Sequence, residues 1–194
     1  LFYNTASSNT AVGFKAMLSN TTGTANVAMG DSALRANTTA SNNTAMGHSA
    51  LTANTTGAQN SAFGAAAGDA ITTGANNTAI GYEALGKLTT GTDNTGVGRA
   101  AALDVTTGDG NVAVGVEAME NLTTASNNTA VGKHAGRDIS TGTNNVVVGN
   151  DAGHDALTTI TTGSNNIVLG NNSTSVFETK VSLTVGSDER DKTD

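Results

Sequence analysis

The pentapeptide Asn128-Thr129-Ala130-Val131-Gly132 recurs along the chain and decides how it folds. The first nine copies follow one another at a spacing of 17 residues, and the tenth comes 21 residues after the ninth. The copies begin at Asn9, Asn26, Asn43, Asn60, Asn77, Asn94, Asn111, Asn128, Asn145 and Asn166. A period this strict indicates one structural unit stacked on copies of itself, with each unit contacting mainly its neighbours.

Composition narrows the class of protein. The 194 residues include 24 Gly but no Cys, Trp or Pro, and the net charge is −7. Without Cys there are no disulfides or thiolate metal sites. No apolar run approaches the roughly 20 residues of a membrane helix, so no membrane insertion is expected. The negative charge gives no reason to expect a nucleic-acid partner. The chain begins in the middle of a repeat, which suggests a piece of a longer protein.

Within the pentapeptide, alternate residues share a face, as in any β-strand. The fourth position is always bulky and apolar, whereas the third is Ala, Gly or Val. Both faces read as buried, which is typical of parallel sheets. We expect the bulky fourth position to fill the interior. The small face, which carries Asn, Ala and Gly, would then be covered by other chains at a symmetry axis, giving a homotrimer. Stacked Asn side chains such as Asn43, Asn60 and Asn77 are expected to form amide ladders.

The segment between pentapeptides repeats as well. Ala follows three residues after each of the first nine glycines, often with Leu or Met next, and paired Thr come later. This pattern predicts a second short strand and a second turn in each unit. Nearly all charges before residue 177 lie one, two, five or six residues after the pentapeptide glycine, which marks the outer edge of each unit. The predicted fold class is an all-β parallel solenoid of about ten 17-residue coils.

Two segments of the repeats resemble a known family. Asn42–Gly47 and Asn76–Gly81 resemble the head repeat of YadA-like trimeric autotransporter adhesins, which implies a left-handed parallel β-roll built from three chains. The longer repeat, with Ala-Leu and Asn-Thr-Thr-Gly between pentapeptides, is similar to repeats of phage and phage-like tail fibres. The resemblance covers about residues 3–172, so residues 1–172 are predicted to be the solenoid domain.

The C-terminal segment carries a second resemblance. Ser187-Asp188-Glu189-Arg190-Asp191-Lys192 is similar to the opening of the intramolecular chaperone domain of tail spikes and fibres, the peptidase S74 family. This implies that Ser187 is a nucleophile assisted by Lys192, and that a longer precursor cuts itself between Gly186 and Ser187. Residues 187–194 are predicted to begin that domain, and residues 173–186 to form a non-repeat β connector. No enzyme activity is expected from the chain itself.

Other candidate sites have simpler interpretations. His48, His134 and His154 fall on the outer edge without a shared column or a paired ligand spacing, so they are expected to be surface side chains. Asp151, His154 and Asp155 lie at the four-residue insertion, where a protruding loop could bind a metal or a glycan, although charged loop tips are usually just solvated. The short Gly-x-Gly of Gly96-Val97-Gly98 lacks the rest of a phosphate-binding fingerprint and is explained by the repeat. No cofactor or metal is expected.

Four classes of function are compatible with a repetitive β-solenoid of this composition. The favoured one is a shaft segment of a trimeric tail fibre on a virion or phage-like particle, extracellular and involved in host-cell attachment, with the receptor or glycan bound by other parts of the fibre. The alternative is a trimeric autotransporter-like adhesin on a bacterial surface. An ice-binding solenoid would explain the Thr columns, but adjacent Thr such as Thr55 and Thr56 should point opposite ways. A glycan-cleaving solenoid would need paired exposed carboxylates in a groove, which the sequence lacks.

Overall fold

The computed structural model describes residues 4–154, 160–171 and 173, and these form a parallel β-solenoid of about nine turns. One strand forms at each pentapeptide, and the ten strands lie in chain order in a single parallel sheet. Their bounds are β1 Thr10–Val12, β2 Val27–Met29, β3 Thr44–Met46, β4 Ser61–Phe63, β5 Thr78–Ile80, β6 Thr95–Val97, β7 Val112–Val114, β8 Thr129–Val131, β9 Val146–Val148 and β10 Ile167–Leu169. The predicted all-β parallel solenoid is confirmed, and the described residues contain no helix.

Equivalent residues of successive repeats pair directly. Ala79 in β5 pairs with Gly96 in β6, and the residues on either side pair in the same register. The longer connection after β9 leaves this register intact, since Val147 still pairs with Val168. The 17-residue period is therefore one full turn of the solenoid. We call each turn a coil and number it by its strand, so that coil 3 is residues 43–59, coil 4 is 60–76, coil 7 is 111–127, coil 8 is 128–144 and coil 9 is 145–165.

The predicted second strand does not form, because the segment after each glycine curls too tightly. In coil 3 both Ser49 and Leu51 have left-handed backbone angles, with φ of 58° and 50°. Such residues cost roughly 1–2 kcal/mol each when they are not Gly. The tight path still reaches the next coil, because the Leu51 N–H donates to the Ala67 carbonyl at 3.1 Å and the Ala53 N–H donates to the Asp69 carbonyl at 3.1 Å. Each described coil thus has one strand and a series of turns.

The expected placement of the two pentapeptide faces is wrong. Ala130, at the third position, is fully buried, whereas the bulky Val131 beside it is 40% exposed. In five coils the interior is filled by the Leu or Met that follows the Ala, such as Leu34 and Leu85, which are fully buried. With those side chains inside a narrow coil, only a small residue fits opposite them on the strand. The small face is therefore covered by its own coil and not by another chain.

The predicted amide ladders are confirmed, and they run inside the coil. The Asn60 N–H donates to the Oδ1 of Asn43 at 2.9 Å, and the Nδ2 of Asn77 donates to the Oδ1 of Asn60 at 3.1 Å. These side chains are buried, and Asn60 also donates from Nδ2 to the Gly74 carbonyl at 2.8 Å. Hydrogen bonding of this kind satisfies amides that would be costly to bury unpaired.

Candidate interaction face and charged edge

The outward side of the sheet is an uncharged and mostly apolar strip, which we call the strand face; its second positions are Thr or Ser in six strands and Val or Ile in four. It consists of the second and fourth pentapeptide residues of all ten strands, none of which is charged. The fourth-position side chains are exposed or half-buried along its whole length: Val12, Met29, Met46, Phe63, Ile80, Val97, Val114, Val131, Val148 and Leu169. With strands about 4.8 Å apart, the strip is on the order of 45 Å long.

A strip of this kind suits contact with another protein surface. Monomeric soluble proteins rarely leave large continuous apolar patches exposed. Parallel sheets in particular are normally covered on both faces. In this chain the inner face is covered by residues such as Leu85 and Met119, and the outer face is bare. The strand face can therefore bury apolar area against a partner without having to pair any charge.

The charged edge lies beside the strand face, where the sequence predicts it. We use this name for residues one, two, five and six positions after each pentapeptide glycine. No charged residue is among the buried side chains of the described chain. Ion pairs link successive coils, as between Lys87 Nζ and Asp104 Oδ1 at 2.8 Å. Outside this edge, the only charged side chains of the described residues are Asp93 and Asp109.

The structure brings together two histidines that the sequence gives no reason to link. The rings of His134 and His154 lie 6.3 Å apart, edge to face. His134 Nδ1 is 2.7 Å from Asp151 Oδ1, and His154 Nδ1 is 2.7 Å from Asp138 Oδ2. The signal in the sequence was the 17-residue spacing from His134 to Asp151, which places the two residues one above the other on adjacent coils.

Arginines extend this cluster toward the N-terminal coils. Arg99 forms an ion pair with Glu117, whose Oε2 is also 3.1 Å from His134 Nε2. Arg137 Nε lies 3.0 Å from Glu120 Oε2 without hydrogen-bond geometry. The hydrogen bond from Arg99 holds the pKa of Glu117 below its usual value, and the hydrogen bond from His134 does the same for the pKa of Asp151.

A shallow notch opens on the charged edge where Gly86 has no side chain. It is lined by Asp69, Glu83, Gly86, Lys87 and Leu103. Burial, and to a smaller extent the Glu83 charge, raises the pKa of Asp69. Lys87 is already paired with an aspartate, and no group of three His, Cys, Asp or Glu able to hold a metal occurs among the described residues. The notch offers neither a nucleophile with its base nor a metal centre.

The predicted site residues divide into two groups. Ser187, Lys192 and the segment 173–186 lie outside the described residues, apart from Ser173, so the structure does not test the self-cleavage site or the connector. Asp155 also lies outside them. Asp151 and His154 are half-buried and engage neighbouring side chains, and His48 is exposed. The Gly-x-Gly of Gly96-Val97-Gly98 spans the end of β6.

The two threonines of a pair differ in their surroundings, although no strand forms where they lie. The Thr55 hydroxyl donates to the Thr72 carbonyl at 3.1 Å, while Thr56 is exposed. The same hydroxyl-to-carbonyl bond recurs from coil to coil, as from Thr89 to Thr106 at 2.9 Å. Only one of the two threonines in each such pair presents a free hydroxyl to solvent. This arrangement gives no support for the double Thr rows of an ice-binding face.

No protein-family model matches the chain, and neither a curated protein nor a solved structure matches it. Nothing in the described part of the chain is a helix long and apolar enough to cross a membrane.

Proposed function

We propose that this chain is a shaft segment of a homotrimeric fibre, and that the strand face is the interface between its chains. The observation that carries the proposal is the continuous, uncharged and mostly apolar strand face on the outside of a solenoid whose interior is already full. Three copies arranged around an axis parallel to the solenoid would cover it along its whole length. Identical uncharged faces can approach one another although each chain carries a net charge of −7.

The distribution of charge supports the same arrangement. All but two of the charged side chains in the described residues lie on the charged edge, which would face water in the trimer. The strand face has none, and the turn on the far side of each coil has only Asp93 and Asp109. A solenoid that was solvated all round would have no need to confine its charges in this way.

The fibre belongs on a virion or phage-like particle, extracellular, and serves host-cell attachment. This part of the proposal rests on two resemblances of the repeats, to YadA-like head repeats, whose family forms a left-handed β-roll, and to the repeats of phage and phage-like tail fibres. It rests also on the Ser187–Lys192 segment, which resembles the start of a self-cleaving assembly domain. Receptor or glycan binding is assigned to other parts of the fibre. The alternative is an autotransporter-like adhesin on a bacterial surface. A coiled-coil stalk following the repeats in the full-length protein would favour that alternative.

Light scattering coupled to gel filtration tests the interface. The purified chain should run at three times its mass of 19.2 kDa at micromolar concentration. Met46→Asp combined with Ile80→Asp should give monomers, because each aspartate would be desolvated in the interface without a partner. Tyr82→Asp is the matched control, since Tyr82 is 53% exposed but lies on the charged edge. A monomeric unmodified chain, or a trimer unaffected by the paired substitution, would contradict the proposal.

A further inference from the structure

The strand face carries its largest and its smallest side chain on the same strand. In β4 the fourth position is Phe63, the only aromatic residue of the strand face, and the second position is Ser61, its only serine. The second position is Thr or Val, which are similar in size, in eight other strands, and it is Ile167 in β10. A smaller residue therefore stands at the second position only where the residue at the fourth position is largest.

The packing of the coil itself does not explain the serine. Ser61 is half-buried on the outward side of β4, and it pairs with Thr44 and Thr78 in the strands on either side. Both neighbouring coils thus accommodate a threonine at this position. A β-branched residue also suits a strand better than serine does. The space beside Ser61 lies on the surface that faces away from its own coil.

Phe63 projects from the same surface. It is 39% exposed, and it pairs with Met46 and Ile80 in the adjacent strands. Because bulky side chains occupy the places on both sides of it in its column, the exposed part of the ring can be covered only from outside the chain. An aromatic ring has a large apolar area to bury when such a cover is present.

Threefold symmetry would place these two residues beside each other in different chains. With three copies around an axis parallel to the solenoid, the three β4 strands lie at one level and run head to tail around that axis. Second and fourth positions then alternate around the axis. Each Phe63 accordingly lies between Ser61 of its own chain and Ser61 of the next chain.

We propose that Phe63 and Ser61 fix the alignment of the three chains, with each Phe63 ring packing into the space that Ser61 leaves in the neighbouring chain. This inference rests on the proposed homotrimer. A neighbouring chain displaced by one coil would offer Thr44 or Thr78 to the ring, and the added methyl group would fill that space. The strands β6–β9 cannot specify the alignment, because they present Val with Thr or Val at every level. Aromatic residues near the centre of an interface are also those that contribute most to binding.

A dilution series followed by light scattering tests the pairing, at a fixed urea concentration that partly dissociates the unmodified trimer. Ser61→Val should raise the protein concentration at which half of the chains are trimeric by about tenfold or more, the factor that corresponds to an overpacked contact. Thr129→Val is the matched control. It makes β8 equivalent to β7 and β9, which have Val at both positions, and it should change that concentration by less than about threefold.

A double variant separates crowding of the ring from other effects of the valine. Ser61→Val combined with Phe63→Val gives β4 the same outward pair as β7, so trimer formation should return to within about tenfold of the unmodified chain. Circular dichroism on each variant verifies that the solenoid is intact. A trimer in which Ser61→Val is as harmless as Thr129→Val, or in which the double variant is weaker than Ser61→Val alone, would overturn this inference and leave the proposed function standing. A monomeric unmodified chain would overturn both.

Discussion

Ile71 fills the interior space that Gly68 leaves in coil 4. A Cβ atom built on Gly68 would lie 2.9 Å from Ile71 Cδ1. In coil 3 the same two positions hold Leu51 and Asn54, both fully buried. Between these two coils the large apolar side chain has moved from one position to the other, and Ile71 occupies the volume that a side chain at Gly68 would need.

Coil 4 should also accept the Leu and Asn that coil 3 has at the positions of Gly68 and Ile71. Gly68→Leu alone should destabilise by about 1–3 kcal/mol through overpacking. Ile71→Asn alone should cost about 2–4 kcal/mol through the space it leaves. Together they should come within about 1 kcal/mol of the unmodified chain. The Asn54 Oδ1 is buried without a partner and can accept from the new amide, which can also reach the Gly74 carbonyl as Asn54 reaches that of Gly57 at 2.9 Å. Chemical denaturation of the unmodified chain, the two single variants and the double variant measures the coupling free energy between positions 68 and 71.

The same exchange in coil 8 provides the control. Gly136 and Ile139 have the same relationship, with a Cβ on Gly136 lying 2.9 Å from Ile139 Cδ1. The residue beneath Ile139 is Leu122, which offers no acceptor. Gly136→Leu with Ile139→Asn should therefore remain destabilised by at least about 2 kcal/mol. If the double variants of coil 4 and coil 8 recovered equal amounts of stability, the amide ladder would play no part in the exchange.

The pentapeptide glycines should tolerate no side chain. Gly81 has φ of +130°, and a Cβ there would lie 2.5 Å from the Gly98 carbonyl oxygen. Gly81→Ala should cost at least about 3 kcal/mol, from backbone strain and from this contact with rigid backbone. Gly96→Ala is the comparison. Its neighbours in the same column, Ala79 and Ala113, already carry the methyl group. A Cβ at Gly96 would lie 3.0 Å from the Ala101 carbonyl oxygen and 3.1 Å from Leu85 Cγ, so this variant should cost about 1–2 kcal/mol, less than Gly81→Ala. Thermal melts that show equal losses for both would contradict this account.

The inward and outward faces of β8 should respond differently to added volume. Ala130→Leu should destabilise by about 3 kcal/mol, because Ala130 is fully buried in the coil. Val131→Leu adds one carbon on the strand face and should change stability by less than about 1 kcal/mol. Denaturation curves of the two variants decide between the faces. A larger loss for Val131→Leu would restore the expectation that the bulky position is interior.

Acid should weaken the Glu117 cluster. The hydrogen bond from Arg99 lowers the pKa of Glu117 from its ordinary value of 4.5. A carboxyl whose pKa is lower in the folded than in the unfolded chain adds stability that is complete above pH 4.5 and disappears as the pH falls through the lower, folded value. The stability difference between the unmodified chain and Glu117→Gln should therefore shrink as the pH falls below 4.5 in a series of thermal melts. In an Arg99→Gln background the difference should be smaller at neutral pH. A difference that is independent of pH would show that Glu117 gains nothing from its ion pairs.

The sequence alone was enough to predict the solenoid, its period and its charged edge. Copies of one pentapeptide at a constant spacing leave few ways to pair other than in register, since a slip would misplace every Asn and every Gly at once. The Asn43, Asn60 and Asn77 ladder follows from that register. The positions of the charges follow from the cost of burying them.

The tertiary structure decided which face of the strand is inside. Alternation shows that Thr129 and Val131 share a face and that Ala130 lies on the other, but it does not show which of the two points inward. That choice depends on the inward-pointing side chains of the turns, such as Leu34, Leu51 and Leu85, which are fully buried and leave only a small space opposite them on the strand. The meeting of His134 with His154 likewise depends on the curvature of the chain between β8 and β10. Spacing along the sequence records which coil a residue belongs to, whereas contacts across the edge depend on where the turns bring each side chain.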